Sequence, residues 1–180
     1  MKILTETLIS DLIEITKTNI NDVVQLQNAS DSELNQRPGE DSWSALECIE
    51  HLNRYGDFYL PEIESRLNLA SENKTTYFRA GKIGNYFARI MQPDQKPMKT
   101  LKPMNPAVKS VVRVDVLQEF INQQKRMLDI LDKARSYNLT KIKTAISISK
   151  VLKLRLGDTF RVVIYHNQRH IAQAQRSLSS

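Results

Sequence analysis

Three histidines are the residues with the most chemical potential in this 180-residue chain. His166 and His170 stand four apart in Tyr165-His166-Asn167-Gln168-Arg169-His170, inside a run that the spacing predicts as the last helix. His51 lies early in another helical run, Trp43-Ser44-Ala45-Leu46-Glu47-Cys48-Ile49-Glu50-His51-Leu52. A neutral imidazole offers one ring nitrogen to a metal, and a spacing of four puts two such rings on one helical face. If the two helices pack together, the three rings form a site for one divalent cation. Three ligands leave coordination positions open for water or substrate, as in a catalytic site. Zinc, nickel or another first-row ion would suit imidazole donors. The alternative is that each ring is a hydrogen-bonded core residue. The spacing is not the His-Glu-x-x-His of metalloproteases, since Asn167 follows His166 and no adjacent glutamate offers a general base.

Other residues near the histidines have competing readings. Ser44 and Glu47 have the spacing of a capping box, which occupies the carboxylate that could otherwise act as a base one turn before His51. Trp43 and Cys48 are placed to form a hydrophobic staple across that helix start. Cys48 could also be a fourth ligand, although buried cysteine is usually inert packing. Tyr55, one turn after His51, is a core aromatic with a polar tip that could reach a bound ligand. Asn167 and Arg169 flank the ligands, and Arg169 is expected to point away and pair with an acid.

Five long or short helical runs must position these side chains. Leu8, Ile9, Leu12, Ile13, Ile20, Val23 and Val24 recur at helical steps and predict a first helix over 5–27. Glu33 to Ser42 is expected to be a loop, from its Pro38-Gly39 and its polar cluster. The second long helix starts at Ser44 and carries Leu46, Ile49, Leu52, Tyr55, Tyr59 and Ile63, with Pro61 expected to kink or break it. A short helix is expected over 81–91, followed by four prolines between Pro93 and Pro106 among lysines. The third long helix should begin near Asp115, capped by its carboxylate with Gln118 reciprocating. Residues 140–156 are ambiguous: Ile142, Ile146 and Ile148 suit an extended segment, and Val151 to Leu156 could open a helix. In the last helix, over 157–177, Leu156, Thr159, Phe160, Val163, His166, Asn167, His170 and Ala174 form one core-facing stripe. The chain therefore reads as all-α: one domain over 1–180, a four-helix bundle with a long basic connection over about 70–114.

Composition narrows the class. Apolar content of 41% suits a globular protein, and no run has the length of a membrane span. Polar residues follow Met1 at once, without a signal-peptide core, and the single cysteine excludes an internal disulfide; a cytoplasmic location is expected. The net charge of +6 is uneven, with eight Lys/Arg against Asp94 alone between Arg79 and Arg113. Six more, against Asp158 alone, lie between Lys141 and Arg161. That field could attract anionic small molecules or nucleic acid, or simply keep the surface solvated. No helix-turn-helix, zinc finger or aromatic-basic RNA motif accompanies it, so a nucleic-acid-binding module is the weaker reading.

The blocks Trp43-Ser44, Glu47, Glu50-His51-Leu52 and His166-Asn167-Gln168-Arg169-His170-Ile171-Ala172-Gln173 resemble the DinB-like superfamily. Leu34-Asn35-Gln36-Arg37-Pro38 before Trp43 is also typical of it. The resemblance implies a four-helix bundle in which His51, His166 and His170 bind one divalent ion, and a homodimer. It also implies an enzyme of one of two kinds. Some relatives are metal-dependent transferases or isomerases using a low-molecular-weight thiol such as bacillithiol, mycothiol or glutathione. Others are metal-dependent hydrolases. In the first kind the metal would lower a thiol's pKa; in the second it would activate water. The substrate expected for either is a small molecule, with an anionic one suiting the basic residues.

Overall fold

The computed structural model describes residues 1–95, 100, 104–106, 113 and 115–179. Lys96, Lys99, Lys102 and Lys109, which supply much of the expected basic connection, lie outside the described residues. What is described is mostly helical. β1 (Lys2–Leu4) leads directly into α1 (Thr5–Leu26), followed by α2 (Asp31–Asn35), α3 (Ala45–Asn68), β2 (Tyr77–Arg79) and α4 (Lys82–Ile90). Then come α5 (Asp115–Ala134), β3 (Lys143–Ile146), β4 (Ser149–Arg155) and α6 (Leu156–Leu178). α3 packs on both α5 and α6, and α1 packs on the same two helices from the other side.

The amphipathic stripes account for that packing. Leu8, Ile9 and Leu12 of α1 join Tyr59, Ile63, Met127, Ile130, Phe160 and Ile164 in one core cluster. Val23 and Leu26 join Leu46, Ile49, Leu52, Phe120 and Ile171 in a second. Val24, expected on the apolar face, is exposed. On α6, His166, Asn167 and His170 fall between Ile164 of the first cluster and Ile171 of the second, so the site sits where the apolar core changes hands. Asn167 is buried there and donates from Nδ2 to Gln124 Oε1 of α5 at 2.9 Å.

Several local expectations are corrected. Residues 31–35 form a helical turn instead of loop, because Ser30 and Glu33 make a second capping box and Leu34 buries its side chain. Of the two outcomes expected at Pro61, the break does not occur: α3 continues through it. Asp115 lies inside the first turn of α5, where its carboxylate accepts from Arg113 Nε at 3.1 Å; Gln118 donates to Asn122 and does not reciprocate a cap. The ambiguous stretch is an antiparallel hairpin, β3 against β4, so Val151 to Arg155 is strand and not helix. Its inner face is tied to the helices by Thr144 and Thr159, whose hydroxyls meet at 2.6 Å, and by Glu62, which accepts from Ala145 N. β1 pairs antiparallel with β2, Ile3 opposite Phe78, an element too short to show a period in the sequence.

α4 is held against the start of α6 by one carboxylate. Asp158, fully buried, accepts from Gly81 N at 2.7 Å and from Arg161. A Cβ on Gly84 would lie 2.5 Å from Asp158 Cβ and Cγ, so this close approach of the two helices requires glycine.

Candidate metal centre

The start of α3 is built by the expected capping box. Glu47 N donates to Ser44 Oγ at 3.2 Å, and Ser44 N donates to Glu47 Oε2 at 2.9 Å. Glu47 is buried, and the Arg37 guanidinium grips its carboxylate through Nε at 2.8 Å and through a second nitrogen. The carboxylate is thus engaged structurally. Fixing Ser44 also fixes Trp43, whose ring stands 4.8 Å from that of His51 and 5.8 Å from that of His170. Trp43 is therefore a wall of the histidine site, beyond any packing on Cys48. Cys48 is completely buried and is not in the donor group; burial, with the Glu47 charge adding, pushes its thiol up to about 12.

The three histidines converge. Ring centroids are 5.1 Å apart for His51 and His166, and 4.6 Å apart for both His51–His170 and His166–His170. One donor nitrogen from each falls within 4.8 Å of the others. His51 Nε2 and His166 Nε2 are 3.3 Å apart. Two nitrogens bound at about 2.05 Å to a tetrahedral cation stand about 3.3 Å apart, and a shift on the order of 1 Å closes the widest pair onto the same point.

The outer nitrogens support the same direction. His51 Nδ1 lies 2.6 Å from the Met104 carbonyl, which can only accept, so the proton is on Nδ1 and the Nε2 lone pair faces the other rings. His170 Nδ1 pairs with Gln173 Oε1 at 2.9 Å, leaving its Nε2 free in the same way. Such outer hydrogen bonds fix tautomer and ring angle in metal-binding histidines. Burial is the main cause that holds all three rings neutral. It pushes His51 down to about 4, with the Arg54 charge adding, and His170 down to about 3, with His51 and Arg169 adding. His166 is pushed well below its usual value by burial, then by His170 and His51. Neutral imidazoles are the ligating form.

The rings form one wall of a cavity of about 680 Å³, lined also by Trp43, Tyr55, Asn105, Arg169 and Arg176. That is the size range of small-molecule sites. Tyr55 packs its ring 4.9 Å from His51 and 4.6 Å from His166, and burial, with Tyr59 adding, pushes its hydroxyl up to about 12, so it stays a neutral donor. Arg169 does not follow the expectation that it turns away: it lines the cavity and donates to the carbonyls of Ile90 at 2.9 Å and Gln95 at 3.0 Å. Of the outer partners, Gln173 was findable from its three-residue spacing to His170. Met104 carried no local signal, being a backbone carbonyl 53 residues from its histidine.

No curated protein and no solved structure gives a match to this chain. The sequence model of the DinB superfamily matches residues 16–174, a span that includes α3, most of α6 and all three histidines. The resemblance carried by the two histidine blocks thus extends over most of the length, and the chain belongs to the DinB superfamily.

Proposed function

We propose that this chain is a single-domain four-helix bundle in which His51, His166 and His170 hold one divalent metal ion, zinc or nickel, and that it is a metal-dependent transferase acting with a small thiol. The observation that carries the reading is the convergence of three neutral imidazoles on the wall of a ligand-sized cavity. The donor set fits such an ion: all nitrogen, two tautomers set by outer acceptors, and one pair already at the separation a shared cation needs. When bound, the ion would supply a Lewis acid that makes a thiol acidic enough to be a nucleophile at neutral pH.

The chain's own groups do the rest. Trp43 and Tyr55 present ring faces that exclude water from the histidine side of the cavity. The Tyr55 hydroxyl, still protonated at neutral pH, can donate to a ligand heteroatom. Arg169 and Arg176 bring positive charge to the cavity, which favours an anionic thiol or acceptor. Glu47 is committed to Ser44 and Arg37, and Glu50 to Arg54, which removes both of these α3 carboxylates as bases toward water and favours thiol transfer over hydrolysis.

Elemental analysis of purified protein tests the metal. The wild type should carry close to one divalent ion per chain, and His51→Ala and His170→Ala close to none. A thiol-conjugation assay run beside an ester and phosphoester hydrolysis panel, each with and without chelator, tests the reaction. Full metal content in the alanine variants sinks the site; chelator-sensitive hydrolysis without thiol conjugation replaces the transferase by a hydrolase.

A further inference from the structure

Each histidine-bearing helix also presents an arginine that grips the connection between α4 and α5. Arg54, three residues after His51 on α3, is steadied by Glu50 at 2.8 Å and donates from Nη1 to the Asn105 carbonyl. Arg169, between His166 and His170 on α6, donates to the carbonyls of Ile90, the last residue of α4, and of Gln95 beyond it. Residue 104, whose carbonyl receives the His51 Nδ1 proton, is the immediate neighbour of the residue Arg54 holds. Guanidinium donors are suited to this: the planar fork can bond a carboxylate and a carbonyl in one fixed geometry, which an ammonium cannot.

We propose that Arg54 is a positioning residue that fastens residues 104–105 to the His51 helix, so that the Met104 carbonyl holds His51 as its Nδ1–H tautomer with Nε2 turned to the metal. The inference rests on the metal reading above. Arg54 does not touch the cation; it acts through backbone it holds in place. By linkage, whatever secures Met104 strengthens metal binding, and metal binding strengthens the docking of residues 104–105 by the same factor. Loss of an outer partner to a ligating histidine typically weakens metal affinity about 10- to 100-fold.

The test compares wild type, Arg54→Met, Arg54→Lys and Arg169→Met. Zinc affinity is measured by competition with a chromophoric chelator, and the ring protonation of His51 by imidazole nitrogen NMR. Arg54→Met should bind zinc about 10- to 100-fold more weakly, with the His51 Nδ1–H signature lost or mixed in the metal-free protein. Arg54→Lys should recover little of either, because a single rotating ammonium lacks the rigid fork by which Nε meets Glu50 while Nη1 meets Asn105. Arg169→Met, which releases the carbonyls of Ile90 and Gln95 but not that of Asn105, is the comparison and should leave the His51 Nδ1–H signature as in the wild type. Unaltered zinc affinity and an unaltered His51 signature in Arg54→Met, with the wild type still binding one zinc through its histidines, would overturn this inference and leave the metal site standing. A wild type that binds no zinc would remove the metal site and this inference with it.

Discussion

Acidification of the metal-free protein is the perturbation that bears most directly on the histidine cluster. In the folded chain burial holds all three imidazoles neutral, with His51 and His170 pushed down to about 4 and about 3 and His166 moved the same way. In the unfolded chain each takes up a proton near pH 6.5. Below that pH the unfolded state binds more protons than the folded one, so the stability present above pH 6.5 is lost as the pH falls toward the folded values. Between pH 7.5 and 5.5 each histidine accounts for about 1.4 kcal/mol, and the three together for roughly 4 kcal/mol. Against a total of about 5–15 kcal/mol that is a large share, and it corresponds to a fall in melting temperature on the order of 10 °C for a chain of this length. Thermal denaturation of chelator-treated protein across this range, followed by circular dichroism, measures it. His51→Asn and His170→Asn should each remove about a third of the slope, whatever they do to the midpoint. A flat melting temperature from pH 7.5 to 5.5, or an unchanged slope in both variants, would refute the account of three buried neutral rings.

Two further outcomes follow from neighbouring structure. Gly84→Ala drives a methyl into Asp158 and loosens α4 from α6, and should cost about 1–3 kcal/mol in urea denaturation; a midpoint equal to wild type would show that the helices can part without loss. Cys48, buried and with its thiol pushed up to about 12, should resist an aromatic disulfide reagent at pH 8 in native buffer and react fully in denaturant. Rapid labelling of native protein would mean that the start of α3 opens far more often than its packing allows.

Legibility differed with the range of the interaction. The helices α1, α3, α5 and α6 could be read from apolar steps of three and four, since each buries one face against its neighbours. The capping box at Ser44 and Glu47 was legible for the same reason: both partners lie within one turn. The matching box at Ser30 and Glu33 obeys the same rule, but Pro38-Gly39 nearby drew the whole stretch toward loop. Val151 to Arg155 offered a helical start and became a strand because it pairs with Lys143 to Ile146, a choice made by a neighbour outside the segment. β1 and β2 pair across more than seventy residues, and three-residue strands leave no period to detect.

The same division runs through the site. Residue type and the four-residue step on one helix determined, from the sequence alone, that His166 and His170 share a face and that His51 lies on the apolar side of another. Tertiary packing decided that those faces meet with nitrogens 3.3 Å apart, and that a carbonyl from a distant connection holds the proton on the far side of His51. It also turned Arg169 toward the backbone at the end of α4 and made Trp43 a wall of the cavity. A helix dictates the direction of its own side chains through bonds within a turn. What those side chains face depends on surfaces contributed by the rest of the chain, and a backbone carbonyl leaves no trace in residue identity.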